Sequence, residues 1–135
     1  MCSYAVQTEL EHLPFVEKAI LDLNTNIAVI QFKADEKVDI QQVVNAVYKA
    51  GFSVAYTEAD FVFNQQVIAD QFIFSYEGFQ YQFLKPALSV LNGRTTLKFL
   101  DKKYLRKKAY SFWAPMIKES LKGKDDAENL YHVTL

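Results

Sequence analysis

Apolar positions along this chain alternate between two periods, and the changes of period mark out its elements. From Ser3 to Leu13 the apolar residues Val6, Leu10 and Leu13 are spaced by four and three, which is one face of an amphipathic helix. Ser3 is its predicted N-cap, and Pro14 ends it just after Leu13. Val16 to Leu23 and Ile27 to Phe32 read as strands. The turn formers Asn24, Thr25 and Asn26 between them make the pair a hairpin. The clearest helical signal follows, with Ile40, Val43, Val44 and Val47 at i, i+3, i+4 and i+7. Asp39 stands at its capping position with Gln42 three residues later, a capping box, and Gly51 supplies a left-handed stop. Ser53 to Thr57 then reads as a strand.

Beyond residue 60 the pattern describes a second unit. Gln71 to Tyr76 and Phe79 to Leu84 alternate apolar and polar residues around Glu77-Gly78, which predicts a hairpin ended by Lys85-Pro86. Thr95 to Leu100 is a further strand after Asn92-Gly93. Lys102 to about Lys122 reads as helical, with Pro115 expected to bend or split it. Gly123 to Glu128 reads as an acidic loop, and Leu130 to Leu135 as a terminal strand with Tyr131, Val133 and Leu135 on one side.

The first unit therefore runs helix, strand, strand, helix, strand. That is the ferredoxin-like βαββαβ arrangement without its first strand, and the expected fold class is α+β. In that fold the first strand lies between the third and fourth, so its absence leaves buried backbone groups to be paired. A strand from the second unit, best Leu130 to Leu135, or a strand from another subunit, is expected to fill the gap. The expected domains are residues 1–60, ferredoxin-like, and 61–135, β-rich with a basic helix.

Composition sharpens this picture. Half of the 135 residues are hydrophobic, 15% are aromatic, and the net charge is only -1, so the chain can bury a core and disorder is excluded. No apolar run has the length of a membrane span, and no basic n-region or apolar h-region follows Met1; the chain as written is expected to be soluble. Charge is divided unevenly. Residues 1–64 hold 4 basic and 9 acidic side chains, and residues 65–135 hold 11 and 7. A single cysteine, Cys2, rules out an internal disulfide and a closed thiolate zinc site.

Residues 1–56 resemble the heavy-metal-associated domains of copper chaperones, mercury-binding proteins and metal-pumping ATPases. Those carry Cys-x-x-Cys, apolar residues at intervals of four, then Leu-Pro-x-Val. Cys2, Val6, Leu10, Leu13, Pro14 and Val16 match that ladder when Cys2 is the second cysteine. The match continues through Asp22-Leu23-Asn24-Thr25, Ala28-Val29-Ile30, Val47 and Lys49-Ala50-Gly51-Phe52. The resemblance implies a soft-metal cargo or cofactor, Cu(I), Hg(II) or Zn(II), held by thiolates, and a metal-transfer partner protein or self-association. It also implies that the first thiolate and the first strand belong ahead of Met1. In outline the whole chain resembles bacterial exported proteins in which this domain precedes a basic β-rich tail ending in a Tyr-His strand, here Leu130-Tyr131-His132-Val133-Thr134-Leu135.

Cys2 is thus the candidate metal ligand. It stands just before a predicted helix, whose positive end favours thiolate. One thiol is half a site, because a tight Cu(I) or Hg(II) centre needs at least two soft donors. Phe52 occupies the family's position beside the metal loop but reads as core. His12, near the end of the first helix, reads as surface, and His132 has no ligand cluster around it in the sequence.

The basic run Lys98, Lys102, Lys103, Arg106, Lys107 and Lys108 interleaves with Tyr104, Tyr110, Phe112 and Trp113. Such a mixture can bind single strands of nucleic acid, but no nucleic-acid motif accompanies it and a solvated helix face is the expected reading. Asp35 and Glu36 read as turn surface. No phosphate loop, Gly-x-Ser-x-Gly or His-Glu-x-x-His is present. The expected function is non-enzymatic soft-metal binding or transfer through an exposed thiolate. The alternative is a protein-interaction or structural module that keeps the fold without metal.

Overall fold

A computed structural model of the chain describes residues 2–123 and 130–135. It is a mixed α+β structure with two sheets, divided into two compact units, Met1–Val54 and Ala55–Leu135.

In the first unit, helix α1 (Cys2–Glu11) leads into strands β1 (Val16–Asp22) and β2 (Ile27–Phe32), and helix α2 (Ile40–Lys49) follows. The helix begins at Cys2, so Ser3 lies inside its first turn and is not its cap. The face read from the sequence is the buried one: Val6 and Leu10 are buried, with Leu10 fully enclosed, and α1 packs on β1 and α2. The hairpin turns through Asn26 in the left-handed region (φ 57°), with the Asp22 carboxylate accepting from the Asn24 amide at 2.9 Å.

Helix α2 buries Ile40, Val43, Val44 and Ala46. Its capping differs in detail from the sequence expectation. The Asp39 carboxylate accepts from the Gln41 amide (3.1 Å) and from Gln42 Nε2 (3.0 Å), so Gln42 reaches back to the side chain of the cap and not to its amide. At the other end Gly51 (φ 93°) closes a Schellman motif. Its amide donates to Tyr48 O and that of Phe52 to Val47 O.

Ser53 to Thr57 is not a strand. The carbonyls of Ala55 and Thr57, both in the second unit, accept instead from the amides of Arg106 and Phe99 of that unit. It leads into an eleven-residue strand, β3 (Glu58–Ile68). That strand was hidden in the sequence because apolar residues appear on both of its faces: Phe61 and Phe63 inward, Val62 and Val67 outward. A register irregularity between Phe63 and Gln66 interrupts the period further.

Strands β4 (Ile73–Tyr76), β5 (Phe79–Phe83), β6 (Ser89–Phe99) and β7 (Leu130–Thr134) and helix α3 (Lys107–Ser120) complete the second unit. The sheet order is β3-β6-β7-β5-β4, with β5 and β7 parallel and the other pairs antiparallel. Glu77 and Gly78, both at positive φ, make the predicted hairpin turn. Asn92-Gly93, read as a break, lies within β6. Gly93 (φ 80°) pairs with Phe63 at the irregularity of β3, so the glycine serves a bulge and not a turn. The predicted helix from Lys102 is split. One short helical turn (Lys102–Tyr104) is followed by extended backbone at Leu105 and Arg106 before α3 begins. Pro115 lies inside α3 without dividing it. Of the predicted acidic loop, residues 124–129 lie outside the described residues.

The two edges of this sheet converge. Phe61 on β3 meets Tyr76 and Phe74 on β4, with ring centroids 4.8 and 6.0 Å apart. Tyr76 Oη accepts from the Val62 amide at 3.2 Å. The sheet is therefore rolled toward a barrel whose interior is filled by aromatic rings, among them Phe61, Phe63, Tyr81, Phe83, Phe99 and Tyr131. Outside it, Leu84, Leu100 and Ile117 form a second core with Leu105, Tyr110, Trp113, Met116 and Leu121.

Leu130 to Thr134 thus occupies the centre of the second sheet, between β6 and β5. The expectation that it fills a gap in the first unit is overturned. Leu130, His132 and Val133 are all buried, so this strand is enclosed on both faces, as a central strand is.

Candidate functional site

Cys2 is the first residue of α1. The turns that follow it are anchored by Val6 and Leu10, so the register of the helix, and with it the end at which Cys2 stands, is set by burial. The other residues singled out in the sequence do not gather around it. His12 is exposed just after α1. Phe52, read as core, is 39% exposed, because the Schellman turn carries it past the end of α2. His132 belongs to the other unit. Among the described residues no group of three or more His, Cys, Asp or Glu side chains is placed to hold a metal ion.

The basic run is exposed, but its aromatics do not form one stacking platform. Tyr104 is buried against Phe99 and Tyr131. Tyr110 and Trp113 pack on the Leu84–Leu100–Ile117 core. Phe112 alone of the four is largely exposed, with the Lys85 ammonium 5.3 Å from its ring centre. A shallow groove of about 580 Å³ lies in this unit, floored by Leu100, Leu105 and Trp113 and edged by Lys85 and Lys98.

The tightest polar constellation is one that sequence reasoning missed. Asp101 follows β6, Ser120 closes α3, and His132 is the middle residue of β7. Asp101 Oδ2 accepts from the His132 amide and Oδ1 lies against its Nδ1, both at 2.8 Å. On the far side of the ring, Nε2 lies 2.8 Å from Ser120 Oγ. The same Oγ donates to the Ile117 carbonyl at 2.8 Å. His132 is 1% exposed and Ser120 7%. The β-strand alternation explains the arrangement: Tyr131 enters the aromatic interior while His132 points to the opposite face, toward α3.

The connectivity matches a Ser-His-carboxylate relay, but the surroundings differ from those of a nucleophile. Ser120 sits in the last turn of α3, where the negative end of the helix opposes a developing oxyanion. Neither the groove described above nor one on the first unit, lined by residues such as Tyr4, Lys18 and Leu21, includes Ser120 or His132. What this chain of bonds does is join the end of β6, the end of α3 and the middle of β7 in an enclosed place. Asp101 is the only acidic residue between Lys85 and Lys108, the one sequence signal that set it apart.

Comparison with family models, with curated proteins and with solved structures returns no match.

Proposed function

We propose that the first unit is a ferredoxin-like, heavy-metal-associated module that carries a soft ion such as Cu(I) through the Cys2 thiolate, by ligand exchange and without catalysis. The observation that carries this reading is the place of Cys2 at the start of α1, ahead of the buried Val6 and Leu10. The ladder that prompted the resemblance is thus largely the packed face of the helix. The antiparallel β1–β2 hairpin and the Gly51 stop fall where the same resemblance expects them. Thiolate exchange needs an exposed, low-pKa sulfur and a second soft donor. Cys2 supplies one of the two soft donors that the resemblance implies.

An anaerobic Cu(I) titration against a chromophoric chelator tests this, with the wild-type chain and Cys2→Ser side by side. Binding tighter than that of free cysteine, abolished by Cys2→Ser, is expected. Affinity no greater than that of free cysteine overturns the reading. A second reading, an interaction module that keeps the fold without metal, is favoured by one observation: the β1–β2 hairpin exposes apolar side chains, Ile20 at 43%, Ile27 at 37% and Val29 at 55%.

A further inference from the structure

We infer that the groove of the second unit binds a small aryl carboxylate, with its ring seated on Leu100, Leu105 and Trp113 and its carboxylate held between the ammonium groups of Lys85 and Lys98. All the residues that form this groove belong to the second unit. Strand pairing arranges its rim. Glu58, Lys98 and Thr134 are register partners on the adjacent strands β3, β6 and β7. On the far side of β7, Thr134 Oγ1 donates to the Leu84 carbonyl at 2.9 Å, and Lys85 follows directly. Thr134 therefore has Lys98 on one side and Lys85 on the other. Glu58, the acidic side chain at the rim, lies beyond Lys98 and away from Thr134. Among the described residues neither ammonium has a carboxylate within ion-pair distance. An anion over Thr134 meets a cation on each side.

Lys85 is held there in a strained conformation. Its φ of 61° lies in the left-handed region, although it bears a side chain and precedes Pro86. The surroundings enforce it: the Asp70 carboxylate accepts from the Lys85 amide at 2.8 Å, and the Leu84 amide donates to the Val133 carbonyl at 2.9 Å. Strain so enforced is a mark of positions that hold a ligand. Its effect is to set the Lys85 ammonium 5.3 Å from the centre of the Phe112 ring, which meets Trp113 edge-on at 5.2 Å. The cation thus stands near the indole. Leu100 is buried, while Leu105 and Trp113 are half-buried, so the floor is apolar and partly open. An apolar floor with a few convergent polar groups suits a ligand with an apolar body and one charged end. The two lysines set the sign of that charge. The planar indole favours an aromatic body over a flexible chain. The groove volume also lies within the range of about 300–1,000 Å³ usual for such sites.

Titration of the full chain with naphthalene-2-carboxylate, followed by nitrogen–proton correlation spectra, tests this. Trp113 is the only tryptophan, so its indole N–H reports directly on the floor of the groove. Saturable shifts are expected at that resonance and at the Leu100 and Leu105 amides. The uncharged naphthalene-2-carboxamide should bind about tenfold more weakly, since it loses both lysines, and Lys85→Gln and Lys98→Gln should each weaken the carboxylate about threefold. Lys107→Gln, at an exposed position outside the groove, should leave the affinity unchanged. Each variant should keep the circular dichroism spectrum of the wild type. Absence of a saturable shift at Trp113, equal binding of the carboxamide, or unchanged affinity in both groove variants each overturns the assignment. So does inorganic phosphate that shifts the same resonances at equal concentration, because the groove would then recognise charge alone.

Discussion

Replacing Asp101 by alanine should expose how much the second unit depends on its enclosed polar chain. The carboxylate takes two hydrogen bonds at 2.8 Å, one from the His132 amide and one shared with Nδ1. His132 is 1% exposed, so water cannot replace them at the histidine, although the 23% exposure of the Asp101 side chain admits some solvent beside it. Each buried donor left without an acceptor costs about 1–3 kcal/mol, and the partial access of water places the sum at about 2–4 kcal/mol. Urea unfolding followed by fluorescence measures this cleanly, because the only tryptophan, Trp113, sits on α3 and packs on the core of this unit. The midpoint should fall with an unchanged slope. Asp101→Asn keeps one acceptor and should lose about half as much. Ser120→Ala should cost about 1 kcal/mol, and the double variant should show coupling, since both partners act on one ring. An Asp101→Ala chain within about 0.5 kcal/mol of wild type, the ordinary effect of a surface change, would refute the clamp.

Other consequences can be checked with equal directness. Asp39→Ala removes the carboxylate that accepts from the Gln41 amide and Gln42 Nε2. It should destabilise α2 by about 1 kcal/mol, read as a lower thermal midpoint by circular dichroism. Gly51→Ala meets nothing within 4 Å, so its penalty is purely torsional at φ +93°; about 1–2 kcal/mol is expected in denaturant unfolding, and no loss would contradict the left-handed cap. Tyr76→Phe removes the acceptor of the Val62 amide where the sheet edges converge. Hydrogen exchange should speed up at that amide while neighbouring core amides stay protected, and stability should fall by about 0.5–1.5 kcal/mol.

The elements that the sequence made legible are those whose side chains point one way and whose ends carry chemical stops. Ile40 to Lys49 is one, with Asp39 before it and Gly51 after it. The two hairpins are others, because Asn26 and Glu77-Gly78 adopt the positive φ their turns require. β3 was illegible because valines on its outer face and phenylalanines on its inner face erase the period of two. Asn92-Gly93 misled because the residue types of a turn also suit a bulge, and only the pairing with Phe63 distinguishes the two. The helix predicted from Lys102 began too early because a basic run carries no information about backbone breaks.

By itself, then, the sequence determined the amphipathic faces of α1 and α2, the Asp39 cap and Gly51 stop of α2, the turns of the two hairpins, and the single thiol at the head of α1, since each is local: a few adjacent residues with one energetically preferred conformation. Tertiary structure alone decided the rest. It placed β7 between β5 and β6, brought the sheet edges together through Phe61 and Tyr76, and assembled Asp101, Ser120 and His132 across separations of 12 and 31 residues. It also set Gln7 and Glu11 of α1 against the backbone of Ala19 in β1. Strand order and polar networks depend on which surfaces meet after collapse, and residues far apart in the chain carry no periodic record of that meeting.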